Sequence, residues 1–146
     1  MKKIVFYTEE NFTFRLKDKN KIRHWLEECA SQENKQIHQI TYIFCSDEYL
    51  LELNRTHLNH NTYTDIITFD YTEENNLIGE IYISVERIKE NAKKYKVSFK
   101  EELLRVMIHG LLHLSGYKDK TKQEKKQMRE KETEKLGLFH VKQKGV

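Results

Sequence analysis

The chain has 146 residues, with 26 lysines and arginines against 23 aspartates and glutamates and a formal net charge of +3 at neutral pH. That length suits one core, because two pieces of it would each be poor in buried surface, so residues 1–146 are read as one domain. The near-even charge admits an anionic partner but is too weak to argue for one, and no run approaches the roughly 20 apolar residues of a membrane-spanning helix, so a soluble protein is expected.

Met1-Lys2-Lys3-Ile4-Val5-Phe6-Tyr7 begins like an export signal, but the apolar run breaks at once into Thr8-Glu9-Glu10-Asn11 without a small-residue cleavage site. It therefore reads as a first strand. Asp18 is the expected N-cap of a helix to about Asn34, with Ile22, Trp25, Leu26 and Cys29 at helical spacing on one face. Ile37 to Cys45 alternates as a strand. Asp47 opens a short helix through Leu50, Leu51 and Leu53-Asn54, and His57-Leu58-Asn59-His60-Asn61-Thr62 is an irregular loop rich in turn formers. Thr64 to Tyr71 and Leu77 to Ser84 are β-branched or aromatic runs separated by Glu73-Glu74-Asn75-Asn76, the pattern of a hairpin.

Ser84 caps a helix to about Tyr95. Ser98 with Glu101, and Thr121 with Glu124, have the spacing of capping boxes for two more. The helix from Phe99 to about Leu114 is apolar on nearly every side and belongs at the centre. With no repeat, linker or composition break, the order predicts one α+β domain, an approximately four-stranded mixed sheet with helices packed on it. Cys29 and Cys45 lie in separate elements without metal-knuckle or redox spacing, so two buried free thiols in a reducing cytoplasm are expected.

Within the apolar helix stand His109 and His113. Residues four apart share a helix face, close enough for two imidazoles to bind one cation, and an unmet polar atom among leucines costs roughly 1–3 kcal/mol. Gly116 suits the left-handed turn that ends a helix, and such a turn would return Asp119 over the open helix end as an oxygen ligand, leaving a fourth position open. Zinc suits this mixed nitrogen and oxygen set, with nickel, manganese and iron also compatible. The competing reading makes the two histidines satisfied core residues and Asp119, between Lys118 and Lys120, an ordinary surface acid.

The run His109-Gly110-Leu111-Leu112-His113-Leu114-Ser115-Gly116-Tyr117 resembles the HGxLHLxGYDH signature of the YbeY rRNA maturation endoribonucleases. Leu53-Asn54, Thr64-Asp65-Ile66-Ile67-Thr68-Phe69 and Gly79-Glu80-Ile81-Tyr82-Ile83 are similar to further motifs of that family, so the likeness spans roughly residues 48–130. The resemblance implies a compact α+β fold, one zinc ion in a cleft and metal-dependent cleavage of single-stranded RNA. It also implies a role in ribosomal RNA maturation, at the 3′ end of the small-subunit 16S RNA, and in ribosome quality control. The implied partners are single-stranded or ribosomal RNA and the small subunit or its proteins, with no membrane. Two positions depart from the pattern: Asp119 stands where the family carries a third His, with Lys118 in place of an Asp, and Leu58 stands where many members carry a cleft arginine.

A ribosome-associated factor with a mainly structural metal is the second reading. A metallopeptidase-like hydrolase is the third, and is disfavoured because Gly110 occupies the place of the HExxH glutamate. No protein base is assigned: Glu80 reads as a strand-face acid and His60 as a solvated loop residue. Lys118, Lys120, Lys122, Lys125 and Lys126 are the cations available to RNA, although Glu124, Glu130, Glu132 and Glu134 intersperse as on a solvated helix face. Tyr42, Phe44, Phe69, Tyr71 and Tyr82 are stacking candidates that strands more often place in the core.

Overall fold

Parallel strands cannot be joined by a tight turn, and the chain spends its early helices on crossovers. In the computed structural model, β1 (Ile4–Thr8) pairs in parallel with β2 (Gln36–Cys45) across the connecting helix α1 (Lys19–Gln32). Strand β2 pairs in parallel with β4 (Asn76–Ser84), and β3 (Ile66–Asp70) forms the expected antiparallel hairpin with β4. The result is a four-stranded mixed sheet of order β1-β2-β4-β3. The structure describes residues 3–60 and 62–144; Met1 and Lys2 of the expected first strand, and Asn61 of the expected loop, lie outside them.

Alternation along the strands divides the apolar side chains between two faces. Ile67, Phe69 and Tyr82 meet Leu50 and Leu53 of α2 (Asp47–His57) on one face. Ile66, Ile81 and Ile83 join the main core on the other, beneath α4 (Phe99–Leu114). Helix α4 buries ten of its 16 residues and is the central helix its composition predicts. Helices α3 (Val85–Tyr95) and α5 (Lys122–Lys144) pack against it. Among the described residues, no helix is long and apolar enough to cross a membrane.

The caps follow the sequence with two differences, at Asp18 and Glu101. Ser84 and Ser98 accept from the backbone N–H groups of Arg87 and Glu101, and Thr121 and Glu124 bond reciprocally at 3.1 and 2.9 Å. Asp18, however, has φ 58°, and its carboxylate makes no cap; it meets Lys100 Nζ at 2.7 Å instead. Glu101 does not close its box, because its carboxylate contacts His140 at 2.9 Å. Ser46 caps α2, while Asp47, the first residue of that helix, holds Ser84 and Arg87 at 2.8 and 2.7 Å. Asp18 and Glu101 thus give their carboxylates to side chains of distant elements rather than to the local backbone.

Both cysteines are buried and free, and burial pushes each thiol pKa up to about 12. Folded protein at neutral pH should leave both unmodified by a thiol-specific disulfide reagent while denatured protein exposes both. A thiol in the native protein reacting as fast as free cysteine would contradict this packing.

Candidate metal centre

The spacing of His109 and His113 sets their rings edge to face on one side of α4, with centroids 4.6 Å apart and planes at 81°. Gly110 points the other way: a Cβ there would lie 2.9 Å from Ile81 Cδ1 and 3.2 Å from Ile66 Cδ1, so the residue lets the helix sit close on the sheet. After the helix, Gly116 adopts φ 109°, and the N–H groups of Gly116 and Tyr117 donate to the carbonyls of His113 and Leu112, each at 3.0 Å. This left-handed turn folds the chain back and returns Asp119 to the histidines, as the sequence predicts.

Each imidazole is oriented by its Nδ1 atom. His113 Nδ1 lies 3.0 Å from the Tyr117 carbonyl oxygen, which can only accept, so the proton sits on Nδ1 and Nε2 is left with a free lone pair. His109 Nδ1 lies 2.6 Å from Glu132 Oε2. The Nε2 atoms then face Asp119, at 3.3 Å from Oδ2 for His109 and 3.6 Å from Oδ1 for His113. Ligands about 2.0–2.1 Å from a tetrahedral zinc stand roughly 3.3–3.4 Å from one another, so these separations fit donors around one cation. The three donor atoms all lie within 4.8 Å of one another, and the group could hold a metal ion.

A second layer fixes the first. Glu132 is buried and its other oxygen takes Arg105 Nη1 at 3.1 Å. The Tyr117 hydroxyl donates to Glu33 at 2.6 Å, and Glu33 also receives the fully buried Lys135 at 2.8 Å and Lys131 at 3.4 Å. The turn that carries the His113 acceptor is thereby tied to α1 and α5. Burial acts to lower the pKa of His109, but Glu132, with Asp119 and Asp65, outweighs it and holds the pKa above the usual value. Burial and the neighbouring His109 hold that of His113 below it. Nearby, burial raises Asp65, and burial with the charge of Asp65 raises Glu102. The floor around the histidines is thus rich in carboxylates, an environment that attracts a cation.

The centre opens into a cleft of about 1040 Å³. The buried Asn54 side chain donates to the Thr62 carbonyl at 2.9 Å and shapes one wall, where Leu58 and His60 stand; the other wall is the inner face of α5. Glu80 lies on the α2 side of the sheet, paired with Phe69, and does not line the cleft. Of the five candidate lysines only Lys118 and Lys125 line it. Tyr42 and Phe44 are buried in the core, Phe69 and Tyr82 pack beside α2, and Tyr71 is exposed.

Glu132 corrects the sequence reading, which sets it on a solvated face. Its signal was the register of Met128, Glu132, Lys135, Leu136 and Phe139, one helical stripe in which two inward charges are paired. Asp65, Glu102, Arg105 and Arg129 also line the cleft, brought there from separate parts of the chain.

An α+β chain in which two imidazoles and a carboxylate converge in a cleft belongs, as a class, with small proteins carrying a group that could hold a metal ion. The model of the family Endoribonuclease YbeY matches residues 5–140. Endoribonuclease YbeY of Christiangramia forsetii is 51% identical over 140 residues, covering 96% of each chain. That of Flavobacterium psychrophilum is 52% identical over 130 residues, 89% of this chain and 93% of its own. A solution structure from Thermotoga maritima matches with TM-score 0.63 and 28% identity, covering 95% of this chain and 93% of that one. The chain belongs to the YbeY family of endoribonucleases.

The orienting carboxylate makes a separate prediction. Replacing Glu132 with glutamine should weaken zinc affinity about 10- to 100-fold in competition with a chromogenic chelator, because the partner of a ligating histidine sets its tautomer and basicity. Unchanged affinity would show that Glu132 serves only the fold.

Proposed function

We propose that this protein is a metal-dependent endoribonuclease that cuts single-stranded RNA during ribosomal RNA maturation and quality control, with His109, His113 and Asp119 holding one zinc ion. The observation that carries the reading is the convergence of two oriented Nε2 atoms and a carboxylate at the floor of a cleft large enough for a nucleotide strand. The names of the relatives supply the substrate class. When bound, the cation supplies Lewis acidity toward a water molecule and a phosphoryl oxygen.

The chain's own residues do the rest. The Nδ1 contacts keep both rings in the metal-binding tautomer, and Glu132 and Arg105 compensate each other's charge beside them. Asp119, where the family pattern has a third histidine, would add a negative charge to the donor set and so would soften the Lewis acidity of a cation held there relative to an all-histidine set. The small ribosomal subunit or its proteins would present the substrate, and the two buried free thiols suit a reducing cytoplasm.

The peptidase reading loses further ground, since a glutamate at position 110 would run into Ile81 rather than reach the cleft. The structural-metal reading keeps one observation in its favour: the loop wall presents Leu58, 42% exposed, instead of a cation.

Purified untagged protein should cleave a single-stranded RNA, and both chelator and His113→Ala should abolish the cleavage. Cleavage that survives both belongs to a contaminant. Melting on chelation, in a preparation that never cut RNA, would transfer support to the structural-metal reading.

A further inference from the structure

The cleft is electrostatically lopsided. Its floor carries Asp65, Glu102, Asp119 and Glu132, which repel an approaching phosphate. All four lysines and arginines that line it, Arg105, Lys118, Lys125 and Arg129, come from α4, the turn after it or α5. The facing wall offers Leu58, Thr62 and Thr64 but neither lysine nor arginine.

These four cations are not equivalent. Arg105 is committed to Glu132 at 3.1 Å. Lys118, Lys125 and Arg129 are exposed, and none forms an ion pair or side-chain hydrogen bond with a described residue. Lys125 and Arg129 are four apart on α5, in register with Met128 and Glu132, which also face the cleft. That spacing advances about 6 Å along the helix, of the order of one step between phosphates of an extended strand. A guanidinium and an ammonium held open beside an acidic floor are suited to drawing a polyanion across it.

We infer that Lys125 and Arg129 on the inner face of α5 are the phosphate-binding residues of this protein, seating a single RNA strand along that wall and over the metal centre. The inference rests on the endoribonuclease reading and deepens it by assigning the strand to one wall. Arg129 also lies close enough to Glu102 to oppose the rise in its pKa, so an arginine serving only to balance that buried acid is the alternative to be tested.

The probe is a fluorescently labelled, single-stranded 2′-O-methyl oligoribonucleotide, with anisotropy followed against salt for the metal-loaded protein. Arg129→Ala and Lys125→Ala should each raise Kd about three- to tenfold at low salt and flatten the slope of log K on log salt by about 0.7. Arg129→Lys should keep the slope, and Lys126→Ala, on α5 but outside the cleft, should match wild type. Thermal melts of the same variants should coincide with wild type. The assignment is overturned if Arg129→Ala and Lys125→Ala bind as wild type does, if Lys126→Ala loses as much as they do, or if Arg129→Ala only lowers the melting temperature. A folded wild-type protein that binds no oligonucleotide would instead sink the endoribonuclease reading, and this inference with it; normal binding with unaffected variants sinks the inference alone.

Discussion

Two hydrogen bonds made by the far side of two imidazole rings govern the rest of the site. A histidine can bind a cation only through a nitrogen that carries no proton. The Tyr117 carbonyl leaves Nε2 of His113 free, and Glu132, by accepting from Nδ1 of His109, turns the Nε2 of that ring toward the cleft as the atom that must release its proton to a metal. Each acceptor depends on a different part of the fold. The carbonyl is set by the left-handed turn at Gly116 and tied down through Glu33, whereas the carboxylate comes from α5 and is itself held by Arg105. The sheet contributes indirectly, by letting α4 sit close enough at Gly110 for α5 and the turn to close over its outer face.

This dependence explains why polar groups are buried in a core that otherwise follows simple apolar patterning. Glu132 and Lys135 lie inside because each has a partner that meets its charge, Arg105 with His109 for one and Glu33 with Gln32 for the other. Removing one member of such a group would leave an uncompensated buried charge, which costs more than the pair contributes. The candidate metal site and the packing of α5 therefore share the same side chains.

The sequence made most of the architecture readable, through elements whose signals are local. Serines at 84 and 98 and the Thr121–Glu124 box start their helices where the spacing predicts, and the all-round apolar run of α4 lies in the middle. The convergence of His109, His113 and Asp119 was legible too, since a four-residue spacing and a glycine turn are both short-range. The misread residues answer to distant partners. Asp18 turns to Lys100, Glu101 to His140 and Glu132 to His109, and neither period nor propensity carries information about a residue many positions away. The strand order β1-β2-β4-β3 was hidden for the same reason, because only the β3–β4 hairpin pairs neighbours in sequence across a short turn.

The central claim is that His109, His113 and Asp119 act as one set of donors. Elemental analysis of protein purified without a histidine tag, after zinc loading and desalting, tests it most directly. The account predicts about one zinc per chain, falling close to none when either His113 or Asp119 is changed to alanine. Folded wild-type protein that emerges without metal, or variants that retain a full equivalent, would contradict it.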